Sequence, residues 1–237
     1  MNGLSLHYWI TPLQAETMPL SDNAFGHLEL DHVYAFVESE ASARQFCARH
    51  HLQAIWPTMI HQGQGTASIA VGYAEGYIEL VWVTDFDLLR SAEQQHRANL
   101  RARVHWRSTN AVPFGIGLRA KEGQVELPSN LWRPYSPIWL RGGEPIQMLG
   151  AAQCEIWRPS VFVVPHVIAY PTLLNSLSEE SRNSLHTRSL IGARLSAPGM
   201  RIEALADLEA AGGFSLHRSS LPPSLYVPDA FELLLAQ

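Results

Sequence analysis

Cysteine is scarce in this sequence, and long apolar runs are absent. Only Cys47 and Cys154 occur in the 237 residues, and they form no CxxC pair, which excludes a disulfide-stapled framework. No apolar run approaches the roughly 20 residues that a membrane-spanning helix needs. Residues 1–27 also lack the basic start and continuous apolar core of a signal peptide. We therefore expect a cytoplasmic protein that has no membrane partner.

Charge is also sparse, and its sign does not suit nucleic acid. Charged residues make up 16% of the chain, hydrophobic residues make up 46%, and the formal net charge is −5. This composition is typical of a globular protein and lacks the excess of basic residues that is typical of nucleic-acid binding. The basic residues cluster once, at Arg97, Arg101, Arg103 and Arg107. We interpret that cluster as the solvated face of a helix.

Residues 28–84 carry a β-α-β-β-β pattern and form the first predicted module. Alternation of apolar and polar residues predicts the strands, and a stripe of apolar residues predicts the helix. The strand-like runs are Leu28–Val37, Gln53–Ile60, Thr66–Tyr73 and Gly76–Val83, and the helical run is Glu38–Leu52.

Two polar residues of this module fall on apolar strand faces. Alternate side chains of a strand point to the same face, which places His32 and Glu79 among large apolar neighbours. Those neighbours are Leu30, Tyr34 and Phe36 for His32, and Tyr77, Val81 and Val83 for Glu79. A single buried polar group usually has only a hydrogen-bond partner. Two such groups in one module indicate a candidate site.

The rest of the chain divides into four segments. They are an irregular N-terminal arm (1–27), a connecting helix (85–104), a central strand-rich segment (105–188) and a second β-α-β-β-β module (189–237). Asp85 is the expected cap of the connecting helix. Met1 and Met18 are alternative starts of the chain. The repeated element order is the strongest topological feature of the sequence.

The central segment combines aromatic residues with short strand-like runs. PFGIGLRA (Pro113–Ala120), VELP, PIWL and EIWRPSVFVVP are the strand candidates. The aromatic residues are Trp132, Tyr135, Trp139 and Trp157. Two interpretations stay open for them: they line a pocket, or they form the core of a loop-rich layer.

The first module resembles a known superfamily. LDHVYAFV at its head, GYIELVWV at its foot and the His-x-Gly-x-Gly-Thr connection at His61–Thr66 resemble the vicinal oxygen chelate superfamily, in particular its glyoxalase-like branch (the glyoxalase/bleomycin resistance/dioxygenase fold). The resemblance implies an α+β protein in which paired βαβββ modules form a curved mixed sheet around a cleft.

The same resemblance implies a metal site. It places His32, Glu79 and Glu232 on three of four ligand positions, whereas Gly192 occupies the fourth and offers no side chain. Imidazole and carboxylate ligands suit a divalent ion such as Zn²⁺, Mn²⁺, Fe²⁺, Ni²⁺ or Mg²⁺. The ion could also be absent, because of Gly192.

Substrate-contacting residues follow from the same alignment. Arg194 falls opposite Tyr34, so both are expected in the cleft, with His61 at its mouth. An arginine there would either clamp a substrate carboxylate or pair with Glu79 or Glu232 and fill the site without a metal.

Two functional hypotheses follow, and a protein that retains only the fold is a third. The first is a metal-assisted enzyme, of the lyase, isomerase or dioxygenase type, acting on a small carbonyl- or oxygen-rich molecule with Glu79 or Glu232 as the general base. The alternative is a metal-free protein that binds or sequesters a small molecule. Neither hypothesis involves nucleic acid, and both allow a homodimer.

Overall fold

The computed structural model describes residues 25–96, 99–123, 125–140, 143–150, 155–183, 185, 190, 192–198, 200, 205–219, 222–227 and 231–234. Most of the predicted N-terminal arm (residues 1–24) and Cys154 lie outside the described residues. Of residues 94–96, 207, 211 and 231–234, only the backbone is described. None of the helices in these ranges is long and apolar enough to cross a membrane.

The described chain contains twelve strands, and these form two sheets. The strands are β1 (Leu28–Phe36), β2 (Met59–His61), β3 (Thr66–Gly72), β4 (Tyr77–Val83), β5 (Phe114–Ala120), β6 (Trp132–Tyr135), β7 (Ile146–Leu149), β8 (Ser160–Val163), β9 (Arg194–Pro198), β10 (Ser215–Ser219), β11 (Ser224–Val227) and β12 (Phe231–Leu234). The α+β class and the large mixed sheet that the resemblance implied are thereby confirmed.

Short helices connect the strands. The α-helices are α1 (Glu40–Arg49), α2 (Phe86–His96), α3 (Leu100–Val104), α4 (Trp106–Thr109), α5 (Tyr170–Asn175), α6 (Glu179–Asn183) and α7 (Ala206–Gly212), with a 3-10 turn at His166–Ile168. Ser39 caps α1 by accepting the Ser42 backbone N–H at 3.2 Å. Asp85 caps α2 by accepting from the N–H groups of Asp87 and Leu88, as the sequence predicted.

The first module forms one half of an eight-stranded sheet. Its strand order is β2-β3-β4-β1, in which β1 and β4 are parallel neighbours. The second half has the order β5-β8-β7-β6, with β5 and β8 parallel, and β5 pairs antiparallel with β1. The two halves therefore have the same internal pairing and meet along β1 and β5.

The second half of the large sheet comes from the central segment, and not from the C-terminal segment. Residues 189–237 do show the predicted element order, β9-α7-β10-β11-β12. Their strands nevertheless form a separate sheet with the order β10-β9-β11-β12. Because β1 is already hydrogen-bonded on both edges, to β4 and to β5, it offers no edge to which a strand of this segment could add.

The C-terminal sheet packs on the side of the large sheet that holds the main core. α7 packs against β1, and Leu195, Leu208 and Leu225 join the same apolar cluster as Val33 of β1. Burial of this shared cluster holds the two sheets together. The opposite face of the large sheet stays available for a cavity.

Several finer predictions from the sequence were wrong. Of the predicted strand Gln53–Ile60, only the last two residues belong to β2 (Met59–His61). VELP and PIWL are not strands, and Pro128 and Pro137 lack the N–H that a sheet ladder needs. The connecting helix is divided into α2 and α3. Arg103 is not on a solvated face: it is only 1% exposed, and its Nη1 donates to the carbonyl oxygens of Val112 (2.9 Å) and Arg158 (2.6 Å).

Candidate functional site

A cavity of about 330 Å³ lies on the face of the large sheet opposite the main core. Strands of both halves line it, together with the loops before β3 and β7. The polar groups come mainly from the first half, and the second half contributes apolar and aromatic side chains. The residues that matter below are His32, Tyr34, His61, Glu79, Trp139 and Phe162.

A β-bulge in β1 decides which residues face this cavity. The pairing register with β5 shifts between Leu30 and His32, so Asp31 is an extra residue and the alternation of faces changes there. Before the bulge, Leu30 points into the main core, and after it Val33 does. His32 and Tyr34 therefore face the cavity. The prediction that Leu30 shares their face was wrong, because period-2 counting assumes an unbroken strand.

Glu79 is the polar centre of the cavity. Ser68 donates to its Oε1 at 2.6 Å, His61 Nε2 lies 3.3 Å from the same oxygen, and His32 Nε2 lies 4.0 Å from Oε2. Burial by itself would raise the pKa of Glu79. The hydrogen bond and charge of His61, the charge of His32 and the Ser68 hydroxyl outweigh it and lower the pKa to about 2. Glu79 is thus held as a carboxylate.

The imidazole of His32 is held on its other side by Asp31. Its Nδ1 lies 2.8 Å from Asp31 Oδ1, and the ring stacks on Tyr77 with centroids 4.4 Å apart. Asp31 is fully buried, and its Oδ2 accepts the backbone N–H of Tyr170 at 2.7 Å and faces Arg119 Nη1 at 3.4 Å. Sequence reasoning did not select Asp31, because strict alternation turns it away from the cleft.

Glycines on β5 make room for the side chains of β1. A Cβ at Gly115 would lie 1.9 Å from Tyr34 Cε1, and a Cβ at Gly117 would lie 2.5 Å from His32 Cε1. These glycines pair directly with Tyr34 and His32 across the strands. The space that a side chain on β5 would take is therefore filled by the rings from β1. Among the residues that the structure describes, the second half offers no charged group to line the cavity.

Some aromatic residues of the central segment line the cavity, and others do not. Trp139 and Tyr135 line the cavity, and the Tyr135 hydroxyl donates to Gln64 Oε1 at 2.9 Å. Trp132 belongs to the main core, and Trp157 is exposed. Burial raises the pKa of both Tyr34 and Tyr135, so both hydroxyls remain neutral near neutral pH.

Four of the six predicted site residues come together, and two do not. His32, Tyr34, His61 and Glu79 line one cavity. Arg194 lies on β9 of the second sheet, exposed, with its guanidinium 5.5 Å from the centre of the Tyr226 ring. The backbone of Glu232 pairs with Tyr226 on β11, in the same second sheet. The sequence analysis placed both residues in the cleft because it assigned the second half of the cleft to residues 189–237.

The residues around Glu79 do not fit the predicted metal site. Across the described part of the chain, no group of three or more His, Cys, Asp or Glu side chains is arranged to hold an ion. His61 and Ser68 contact Oε1 of Glu79 directly. The second half of the sheet supplies Gly117 and Phe162 beside the His32 ring, and neither residue is a metal ligand.

Comparisons with known proteins support the fold and no more. Neither the known protein-family models nor the curated proteins gave a match. Among solved structures, a hypothetical protein from Staphylococcus aureus is similar at a TM-score of 0.50 and 12% identity, over 86% of this chain and 84% of that chain. At this identity, the similarity concerns the fold alone.

Two further structures are less similar. Methylmalonyl-CoA epimerase from Mycobacterium tuberculosis gives a TM-score of 0.34 at 11% identity, over 57% of this chain and 86% of its own. Methylmalonyl-CoA epimerase in complex with methylmalonyl-CoA and NH4+ gives a TM-score of 0.36 at 16% identity, over 60% of this chain and 98% of its own.

Proposed function

We propose that this chain is a glyoxalase-like enzyme that transfers a proton on a small, largely apolar carbonyl compound, with His32 as the general base. The observation that carries the proposal is the position of His32. Its ring lies between two carboxylates, Asp31 at 2.8 Å and Glu79 at 4.0 Å, and it lines the cavity.

The chemistry follows from those contacts. Nε2 of His32 takes a proton from the carbon next to the carbonyl group of the substrate, and the electron pair of that C–H bond moves to the carbonyl oxygen as an enolate forms. Returning the proton to the same or a neighbouring carbon completes an isomerisation without a redox partner. Asp31 orients the ring through the 2.8 Å contact at Nδ1, which leaves Nε2 on the side of Glu79.

Proton exchange tests the proposal without knowledge of the natural substrate. Cyclohexanone, acetophenone and benzylacetone are incubated with the protein in deuterium oxide, and loss of the exchangeable C–H signals is followed by proton NMR. We expect exchange above the buffer rate with at least one ketone, and a loss of roughly 100-fold or more in His32→Gln. Glu40→Gln, on the exposed side of α1, is the control. Equal exchange by wild type and His32→Gln would contradict the proposal.

A second candidate function is binding of a small molecule without turnover. The mainly apolar lining favours it, because such a surface binds an apolar ligand by burial alone. Calorimetric binding of benzylacetone that EDTA leaves unchanged, together with no exchange for any ketone of the panel, would support this candidate over the enzyme.

A further inference from the structure

The polar groups of the cavity also select the class of ligand. We propose that the ligand carries no negative charge and that its polar end donates hydrogen bonds to His32 Nε2 and Glu79 Oε2, as a primary carboxamide does, on an aromatic or aliphatic body. This inference goes beyond the proposed function, because an amide N–H on His32 Nε2 occupies the lone pair that proton transfer uses, so such a ligand binds in place of a reacting ketone.

The proton on the His32 ring is assigned by Asp31. The Asp31 carboxylate only accepts hydrogen bonds, and its Oδ2 already receives the Tyr170 N–H at 2.7 Å. The 2.8 Å contact at Oδ1 is therefore a hydrogen bond donated by His32 Nδ1. In the neutral ring, Nε2 then carries a lone pair. The cavity side of His32 is an acceptor.

Glu79 offers a second acceptor beside it. Its Oε1 is engaged by Ser68 and His61. Its Oε2 lies 4.0 Å from His32 Nε2, which is too far for a hydrogen bond between them. Within the described residues, neither atom accepts a hydrogen bond in the cavity. Two neighbouring acceptors are complemented by a ligand group with two N–H donors.

Charge discriminates against an anionic ligand. The described residues that line the cavity include no lysine or arginine, and Arg194 lies in the other sheet. The Ser68 hydroxyl donates to Glu79 Oε1 at 2.6 Å and His61 Nε2 lies 3.3 Å from the same oxygen, and these contacts hold Glu79 as a carboxylate. A ligand carboxylate beside it would be a second negative charge in a buried site, an arrangement that is strongly unfavourable.

The remaining lining suits a neutral carbonyl group and an apolar body. The indole Nε1 of Trp139 is buried and has no acceptor among the described residues, although Trp139 lines the cavity. A buried donor without an acceptor is costly, and a ligand carbonyl oxygen would satisfy it. Ile146, Met148 and Phe162 supply the apolar wall. A carboxamide on a phenyl-sized body matches two acceptors, one donor and this wall.

Three probes of the same shape test the inference by isothermal titration calorimetry. Phenylacetamide has two N–H donors and no charge, phenylacetate has the charge and no donor, and methyl phenylacetate has neither. We expect the amide to bind wild-type protein at least tenfold more tightly than the carboxylate and about fivefold more tightly than the ester. In Glu79→Gln, the ratio between amide and carboxylate should fall to within about threefold. Glu40→Gln should keep the wild-type ratio.

Phenylacetate binding as tightly as phenylacetamide to wild-type protein would overturn the inference. So would an unchanged ratio in Glu79→Gln, or no binding of any probe. The comparison of probes on wild-type protein decides the matter even if Glu79→Gln does not fold. Amide selectivity without exchange of any ketone would overturn the proposed proton transfer and leave the ligand class standing. Exchange of a ketone, together with phenylacetate binding as tight as phenylacetamide binding, would overturn the ligand class and leave the proposed proton transfer standing.

Discussion

His32 Nδ1 donates to Asp31 Oδ1 at 2.8 Å, although the two residues are neighbours on one strand. Neighbours on a regular strand point to opposite faces. The bulge at Asp31 relaxes that rule and lets a fully buried carboxylate reach three partners from different parts of the chain: His32, Arg119 and the Tyr170 backbone. This carboxylate therefore links His32 of the candidate site to β5, through Arg119, and to the start of α5, through Tyr170.

Removing that carboxylate should destabilise the fold. Asp31→Ala leaves Arg119 and the Tyr170 N–H with fewer partners in a buried place, and we expect a loss of about 3 kcal/mol in the free energy of unfolding. Asp31→Asn keeps an acceptor and should lose less. Urea unfolding followed by circular dichroism measures both. Glu40→Gln should change the value by less than about 0.5 kcal/mol. An Asp31→Ala variant as stable as wild type would show that the buried network contributes nothing.

Glu79 should make stability depend on pH in the acid range. Its pKa in the folded protein, about 2, lies below the reference value of 4.5, so the folded state holds fewer protons than the unfolded state between these values. The stabilisation is present above pH 4.5 and is lost as the pH falls toward 2. We expect it to be on the order of 3 kcal/mol.

Comparison of Glu79→Gln with wild type isolates this contribution. Urea unfolding is measured at several pH values from 6 down to about 2.5. The stability difference between the two proteins should be largest at the upper end of this range and should shrink as the pH falls toward the folded-state pKa of about 2. A difference that stays constant across this range would contradict the lowered pKa.

Gly117 should not tolerate a methyl group. A Cβ there would lie 2.5 Å from the His32 ring, so Gly117→Ala must displace that ring or the strand. We expect a loss of about 1–3 kcal/mol in the free energy of unfolding and loss of phenylacetamide binding. Gly143→Ala is the matched control, since its Cβ would have only ordinary contacts, 3.5 Å from Val167 at the nearest. Equal binding by the two variants would place His32 outside ligand recognition.

Divalent ions should not stabilise the protein through Glu79. No cluster of three ligand side chains is arranged for an ion within the described ranges. We therefore expect the Tm to change by less than about 1 °C on adding Zn²⁺, Mn²⁺, Ni²⁺ or Mg²⁺, in contrast to the effect of a tightly bound ligand. Differential scanning fluorimetry after EDTA treatment measures it. A rise in Tm for wild type that is missing in His32→Gln would restore the metal site that the resemblance implies.

Replacement of Arg103 by lysine should destabilise the folded protein. Arg103 Nη1 donates to the carbonyl oxygens of Val112 and Arg158. Its Nη2 donates to the carbonyl oxygen of Glu155 at 3.4 Å, and one ammonium group cannot reproduce a fork from two nitrogens. We expect Arg103→Lys to lower the free energy of unfolding by about 2–4 kcal/mol. Arg107→Lys, at an exposed position of the same basic cluster, should have little effect. Equal stability of both variants would refute a structural role for Arg103.

The sequence by itself determined the local elements and half of the site. Alternation and capping predicted β1, α1, β3 and β4 closely, because these patterns reflect burial within one short segment. The same patterns selected His32 and Glu79, which the cavity brings within 4.0 Å. Both residues belong to the first module, whose strands pair with one another.

Only the tertiary structure decided the partners of that module and the chemistry of the cavity. Residues 189–237 have the right element order, but β5 already occupies the free edge of β1. Strand order depends on which edges meet in space, and one sequence pattern fits either choice. A single extra residue in β1 also changed the faces and brought Asp31 to His32. Pairing and bulges arise from contacts between distant segments, which periodicity along one segment does not encode.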